Sequence, residues 1–312
     1  MKGLELSRLF YEEYGIPLLR EFPQEAPHIA VGLCGSGSEC FGYDDELSTD
    51  HDFEPGFCLF LPDEEIIDSR TAFRLERAYA KLPRVYLGYH RSTLSPVGGN
   101  RHGVIRLADF LTDKTGTPDG RLSLQGWFSV PEQSLAEVIN GRLFRDDSGR
   151  FTAVRETLSY LPEDVRLKKL AGHLLLMGQA GQYNYRRCVT RGETAAAQLA
   201  VTEFVKSALH TVFLLNREYL PYYKWQFRAL RELPRLAELY TPLERLLTTG
   251  NTPAEAEEKA ALIEAVCGAV ADELRRQGVS QRTDNEAERL AYETNEHVAD
   301  PTLRNLHILW GV

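Results

Sequence analysis

Cysteine is scarce in this chain and never paired in sequence. The five residues, Cys34, Cys40, Cys58, Cys188 and Cys267, are odd in number and form no CxxC motif. That pattern offers no zinc site and fits a reducing compartment. His51, His90 and His102 likewise lack the short His partner spacing of a zinc ligand set. No apolar run approaches the length of about eighteen residues that a membrane span needs. The opening stretch MKGLELSRLFYEEYG is amphipathic and carries acids. Without an apolar h-region it does not read as a signal peptide, and the expected compartment is the cytoplasm. A basic excess is also missing. Lys and Arg total 36 against 45 Asp and Glu, a net charge of −9. That balance argues against a dedicated binder of nucleic-acid backbone, which needs a basic face, and leaves room only for a local basic patch. There is no internal repeat and no low-complexity tract.

What remains is an ordinary globular mix, 43% apolar and 26% charged over 312 residues, enough for one large domain or two ordinary ones. Leu4, Leu9, Phe10, Tyr14, Leu18 and Leu19 recur at helical spacing. His28–Cys34 and Phe57–Leu61 are short apolar runs that read as buried strands, and residues 64–81 read as a charged helix. Val85–Tyr89 and Val104–Ala108 are further strand candidates, and Thr112–Ser123 is a loop by composition. After about residue 128 the signals turn helical. Pro131 opens one helix, and Arg145–Arg150 is a polar break. Val201, Phe204, Val205, Ala208, Leu209, Val212 and Leu215 form one apolar stripe. Thr252-Pro253-Ala254-Glu255 is a capping box that opens another helix. The expected fold class is α+β: a mixed sheet with flanking helices over residues 1–150, then an all-α helical bundle over 151–312. The border is expected within 145–155.

The stretch Gly32–Glu54, GLCGSGSECFGYDDELSTDHDFE, carries the chemistry. A strand that ends in Gly35-Ser36 and turns at once into another element presents backbone N–H groups to an anion. Gly35 and Gly37 permit close approach, and Ser36 and Ser38 add hydroxyl donors. Asp50 and Asp52 are two apart. If Thr49–Phe53 is extended, alternation puts both carboxylates on one face. Two such acids repel unless a hard cation such as Mg²⁺ lies between them. A Gly-Ser turn alone is most often structural, and a lone Asp-x-Asp is most often a solvated strand end. Together, between two buried strands, they suit a metal–nucleotide complex.

This joint pattern resembles the signature of the polymerase-beta-like nucleotidyltransferase superfamily: Gly35, Ser36, Asp50 and Asp52 match, and His51 stands where an apolar residue is usual. Gly141–Asp146, Gly181–Arg187, Arg191-Gly192 and Leu214–Trp225 are similar to a bacterial branch of that superfamily whose function is unknown. The resemblance covers most of residues 25–235. It implies a nucleotidyltransferase-type mixed sheet, an NTP substrate, and Mg²⁺ or Mn²⁺ held by Asp50 and Asp52. It implies that Gly35 and Ser36 hold phosphates, and that a third acid lies on a later strand, for which Asp109 is the candidate. Asp109 is equally placed to cap a helix. Lys224 is a candidate phosphate contact, and Tyr183, Asn184 and Arg187 are candidates for nucleotide or acceptor. For Trp225 a packing corner is the plainer reading, and for the Tyr183–Arg191 set a surface ion-pair network is the alternative. The implied activity is transfer of an NMP group from an NTP to a hydroxyl acceptor, a small molecule given the acidic balance. The alternative is a nucleotide-binding regulator, or an antitoxin-like nucleotidyltransferase acting on a protein or RNA partner.

Overall fold

The structure is a computed structural model that describes residues 1–50 (backbone alone at 49 and 50), 53–91 and 102–312. It is α+β, with a small sheet in the first half and helices through the second. The chain divides into two compact units, Met1–Gly126 with Val130–Ser159, and Trp127–Ser129 with Tyr160–Val312.

In the first unit the helices Gly3–Phe10 (α1) and Ile16–Arg20 (α2) are joined by a π-helical turn, Tyr11–Gly15. Strands Ala30–Leu33 (β1) and Cys58–Leu61 (β2) follow, each buried along its whole length. Continuous apolar runs of this kind are covered on both faces. The helix Ser69–Ala80 (α3) starts later than its charge pattern suggests. Asp68 stops it short by capping, its Oδ1 accepting from Thr71 N–H at 2.7 Å. Val85–Tyr89 is not one strand. It is a hairpin of two-residue strands, Val85–Tyr86 (β3) and Tyr89–His90 (β4), and Leu87 and Gly88 turn it at φ 48° and 84°. Gly103–Arg106 (β5) ends two residues before the apolar run does. Leu107–Thr115 (α4) takes the rest of that run, so Thr112–Thr115 are helical rather than loop. The reason is helical spacing of Leu107, Phe110 and Leu111, which a strand reading of the run overlooks.

The helices Leu124–Ser129 (α5) and Glu132–Ile139 (α6) precede Arg142–Arg145 (β6), a strand that its flanking arginines conceal in the sequence. Arg150–Thr157 (α7) closes the unit. The sheet order is β5-β2-β1-β6. β1 runs antiparallel to both neighbours, and β2 is parallel to β5. Alternation along β2 divides the layers. Leu59 and Leu61 join Phe10, Phe57 and Tyr79 in the core beneath α1 and α3. Phe60 faces the other way, with its ring centroid 5.3 Å from Phe110 of α4 and 4.8 Å from Phe151 of α7.

The second unit is helical. Its elements are Glu163–Met177 (α8), Arg186–Thr190 (α9), Thr194–Asn216 (α10), Gln226–Leu230 (α11), Tyr240–Thr248 (α12), Pro253–Arg276 (α13), Ala287–Glu296 (α14) and Pro301–Asn305 (α15). A π-helical stretch, Gly178–Tyr185, links α8 to α9. Both halves of the Thr252–Glu255 capping box form. α8 packs between α10 and α14 and is buried on every side, including Arg166, Lys168, Lys169 and His173.

Candidate functional site

The turn after β1 is held from behind. Gly35 has φ 125°, a region closed to L side chains, although a Cβ there would meet nothing within 4 Å. The Asn140 amide grips both of its backbone groups. Gly35 N–H donates to Asn140 Oδ1 at 2.9 Å, and Asn140 Nδ2 donates to Gly35 O at 2.8 Å. Gly141 N–H donates to Cys40 O at 2.8 Å. Arg155 braces the same corner by donating to Asn140 O at 2.7 Å and to Ile139 O.

This geometry changes the roles read from the sequence. Gly35 N–H is already committed, so its amide cannot serve a phosphate. Ser36 N–H and Gly37 N–H have no hydrogen-bond acceptor among the described residues, and Ser36 is exposed. The element that follows is a single 3-10 turn, Ser38–Phe41, not an α-helix, so no helix dipole backs the site. The missing Cβ of Gly37 makes room for the protein's own acid, because that atom would lie 2.0 Å from Glu39 Oε1.

The turn lines a recess of about 80 Å³ on the α4 side of the sheet. Leu33, Ile105 and Phe110 supply apolar wall; Gly35, Ser36 and Gly37 supply the rim. Glu39 also lines the recess and is only 8% exposed. Its carboxylate has no hydrogen-bond partner among the described residues. Lys114 at the edge is occupied, 2.8 Å from Glu137 and 3.0 Å from Asp113. Burial works against its ammonium, but the hydrogen bond it donates to Glu137, the charge of that acid and the Asp113 carboxylate hold its pKa above the ordinary value.

Three thiols share these walls. Burial pushes Cys34 up to about 12 and drives Cys40 and Cys58 well above the ordinary value. Burial thus favours the neutral thiol over the thiolate at all three. Among the described residues no three His, Cys, Asp or Glu side chains are grouped to hold a metal.

The acid pair is less clear-cut than its spacing suggests. Thr49 and Asp50 end a 3-10 turn, Glu46–Asp50, so the extended Thr49–Phe53 that would align two carboxylates is not formed at its start. Asp52 and His51 lie outside the described residues. The antiparallel register pairs Gly32 with Cys58, so the chain enters β2 at the end of the sheet where β1 leaves into the Gly-Ser turn. Phe53 packs there. A Cβ on Gly3 would lie 3.0 Å from the Phe53 ring and 2.7 Å from Glu39 Cβ. Asp109 is in the first turn of α4, exposed, and not among the residues that line the recess. Its helix is entered at Arg106, so Asp109 is not the cap residue either. Ser38 is half-buried behind the rim and does not line the recess.

The remaining candidates belong to the helical unit. Gly178–Tyr185 is wound as a π-helix, a wide winding often found at functional sites. It leaves Tyr183 58% exposed and Asn184 exposed. The Arg187 guanidinium stacks 4.8 Å from the Tyr183 ring centre. Lys224 is exposed, and its ammonium lies 5.0 Å from the Trp225 ring centre. The Tyr222 and Tyr223 rings meet at a tilt, with centroids 4.4 Å apart and 50° between their planes.

Two residues of the site escape sequence reasoning. Asn140-Gly141 is a turn dipeptide whose reach to Gly35 no local pattern reveals. Glu39 sits inside the Gly-Ser turn as an ordinary polar residue, and only its burial distinguishes it. Residues 127–226 match a family model described as a domain of unknown function, DUF4037. That match includes Asn140, Tyr183, Arg187 and Lys224 and stops short of the Gly-Ser turn. No curated protein matches the chain.

Proposed function

We propose that the protein is a Mg²⁺-dependent nucleotidyltransferase of the polymerase-beta-like kind, moving an NMP group from an NTP to a hydroxyl on a small molecule and releasing pyrophosphate. The observation that carries this reading is the Gly35–Gly37 rim, fixed by Asn140, in one recess with the Glu39 carboxylate. Donors for an anion and an acid for a cation lie within one recess.

Ser36 and Gly37 offer N–H groups and a hydroxyl to the triphosphate. Tyr183, whose ring carries the Arg187 guanidinium, and Arg187 itself are assigned to nucleotide binding in the same reading. Asn184 and Lys224 are further nucleotide-binding candidates of the helical unit, Lys224 as a phosphate contact. Asp50 and Asp52 are the assigned Mg²⁺ ligands. Their carboxylate oxygens are the donor type that a hard cation takes. When bound, the cation neutralises triphosphate charge. The acceptor hydroxyl yields its proton to water as its oxygen forms a bond to the α-phosphorus and the bond to pyrophosphate breaks, and the protein's share is positioning and electrostatics.

The test is pyrophosphate release from ATP, GTP, CTP and UTP with candidate hydroxyl acceptors, repeated with Asp50→Asn and Asp52→Asn. Each substitution is expected to lower the rate by more than about a hundredfold. Full activity in both variants ends the assignment. A labelled protein band from lysate, with no labelled small molecule, moves the acceptor to a protein side chain.

A further inference from the structure

We propose that the cleft between α4 and α7 is a second ligand site, which takes a zwitterion with an apolar body: a free apolar amino acid or a short apolar peptide. The inference stands apart from the nucleotidyltransferase reading, because α4 separates the two places. Phe110, Asp113 and Lys114 line the Gly-Ser recess, whereas Leu107, Ala108 and Leu111 line the cleft.

The cleft encloses about 750 Å³, within the range of about 300–1,000 Å³ usual for small-molecule sites. All its lining residues belong to the first unit. One wall is a single face of α7, where Arg150, Ala153, Val154 and Thr157 recur at i, i+3, i+4 and i+7. The facing wall is α4, with Leu111 buried and Leu107 and Ala108 half-buried. The loop Pro118–Arg121, which follows α4, completes the lining and is held in place. At its root Gly116 N–H donates to Thr112 O at 2.9 Å, and Thr117 N–H donates to Thr115 Oγ1 at 3.2 Å. Gly120 has φ 70°, and a Cβ on it would lie 2.9 Å from Val154 Cγ1, so the loop presses onto α7. Walls formed before a ligand arrives spare it the cost of ordering them.

The charges name the ligand. Four charged residues line the cleft, two of each sign. Asp119 and Arg121 engage each other: Asp119 Oδ1 accepts from Arg121 N–H at 3.0 Å, and Asp119 Oδ2 lies 3.7 Å from Arg121 Nε. Asp63 and Arg150 remain, both exposed, and neither side chain has an ion pair or hydrogen bond among the described residues. They belong to the same end of the cleft. Leu61 pairs with Arg106, so Asp63 leaves β2 beside the start of α4. Arg150 is the first residue of α7, and the ring of the next residue, Phe151, lies 4.8 Å from that of Phe60 in β2. A plain acid would pair with Arg150 and face Asp63, and a plain amine would pair with Asp63 and face Arg150. A molecule carrying both charges satisfies both. Its carboxylate suits the two-pronged guanidinium, its ammonium donates to Asp63, and its apolar body covers Leu107, Ala108 and Val154.

The experiment is saturation-transfer NMR on the full chain with leucine, phenylalanine and leucyl-leucine, and with N-acetyl-leucine amide as the uncharged control. The zwitterions are expected to give saturable signals, and the control to bind more than about tenfold more weakly. Arg150→Gln and Asp63→Asn are each expected to weaken binding by more than about tenfold, since each removes one charge-assisted contact. Ala153→Phe fills the cleft, keeps every charge, and is expected to abolish binding. Should that variant melt early, the two substitutions at exposed positions decide alone. Tighter binding of the single residues assigns the site to amino acids, and tighter binding of leucyl-leucine assigns it to peptides. No saturable signal from any zwitterion up to about 10 mM overturns the proposal. So does wild-type affinity in both charge variants, or equal binding of the uncharged control. Weakening by Arg150→Gln alone makes the ligand a plain acid and sinks the zwitterion.

Discussion

Asn140 and Gly35 lie 105 residues apart in the chain and hold each other through two hydrogen bonds of 2.9 and 2.8 Å. An amide side chain carries its acceptor and its donor side by side, so it accepts from N–H and donates to C=O of the same residue at once. The start of the Gly-Ser turn is thus shaped by the corner between α6 and β6, not by local sequence alone.

Replacing Asn140 therefore tests the turn. Asn140→Ala leaves a part-buried N–H and C=O without partners and is expected to cost about 2 kcal/mol in urea unfolding. Asn140→Asp keeps the acceptor but sets a carboxylate against Gly35 O. It is expected to be no better than alanine above the pH at which that acid ionises. Both variants are expected to lose affinity for a triphosphate in calorimetry. Wild-type stability in Asn140→Ala would show that the clamp carries no weight.

Glycines around the turn separate backbone strain from crowding. Gly141 has φ 61°, and a Cβ there would lie 2.0 Å from Leu33 O, a backbone atom that cannot swing aside. Gly141→Ala is expected to cost about 3 kcal/mol or more, because strain and collision add. Gly35→Ala meets open space and bears only the strained φ of 125°, so it is expected to be the milder change. Gly37→Ala meets the movable tip of Glu39 and is expected to cost least in stability, but it displaces that acid from the recess. The ranking Gly141, Gly35, Gly37 in thermal melts checks all three statements.

The sequence carries the sheet strands that are short, apolar and uninterrupted, β1 and β2, because burial on both faces leaves no polar residue to obscure them. It carries α10 and α13 through their stripes and the capping box. It hides β6, where only Leu143 and Phe144 are apolar between two arginines, since pairing with β1 and not periodicity makes that strand. It hides α8 as well, whose Arg166, Lys168, Lys169 and His173 read as a solvated face and are in fact buried. At the site, Gly35 and Ser36 were legible from strand-then-turn grammar. Glu39 and Asn140 were not, because what marks them is burial and a long-range contact, neither of which has a local signature.

Lys168 shows what a buried cation does in the helical unit. Its ammonium donates to Asn295 Oδ1 at 2.8 Å, Leu306 O at 2.7 Å and Arg304 O at 3.2 Å, so it ties the segment after α14 to α8 with neutral acceptors only. Burial lowers its pKa below the ordinary lysine value. Lys168→Met fills similar volume but leaves those three oxygens without this donor. The expected loss is about 3 kcal/mol in urea unfolding, with faster proteolytic cutting after Glu296. Unchanged cleavage would mean that apolar packing of Leu303 alone secures the segment.

The His173–His210 pair sets a pH dependence whose sign follows from burial. The two rings stack at 4.2 Å with 5° between their planes, bridging α8 and α10. Burial pulls the His173 pKa well below its usual value of 6.5, and the charges of His210 and Lys169 add to that pull. The native core therefore refuses a proton that the unfolded chain accepts. Above the unfolded value both states are neutral at this ring and the term vanishes. As the pH falls below 6.5 the unfolded state binds the extra proton, so stability declines, with a slope approaching about 1.4 kcal/mol per pH unit until the native pKa is reached. His173→Phe keeps an aromatic ring in the stack and removes the titration. Urea unfolding of both proteins at pH 7.5, 6.5 and 5.5, followed by circular dichroism, is expected to show a wild-type loss between the two lower values that the variant lacks by roughly 1 kcal/mol. Parallel curves for the two proteins would place any loss in that window on groups other than His173; carboxylate pairs such as Glu163 with Arg166 do not account for it, because the stability they hold is lost only below the unfolded carboxylate value, as the pH falls toward a native pKa of about 2.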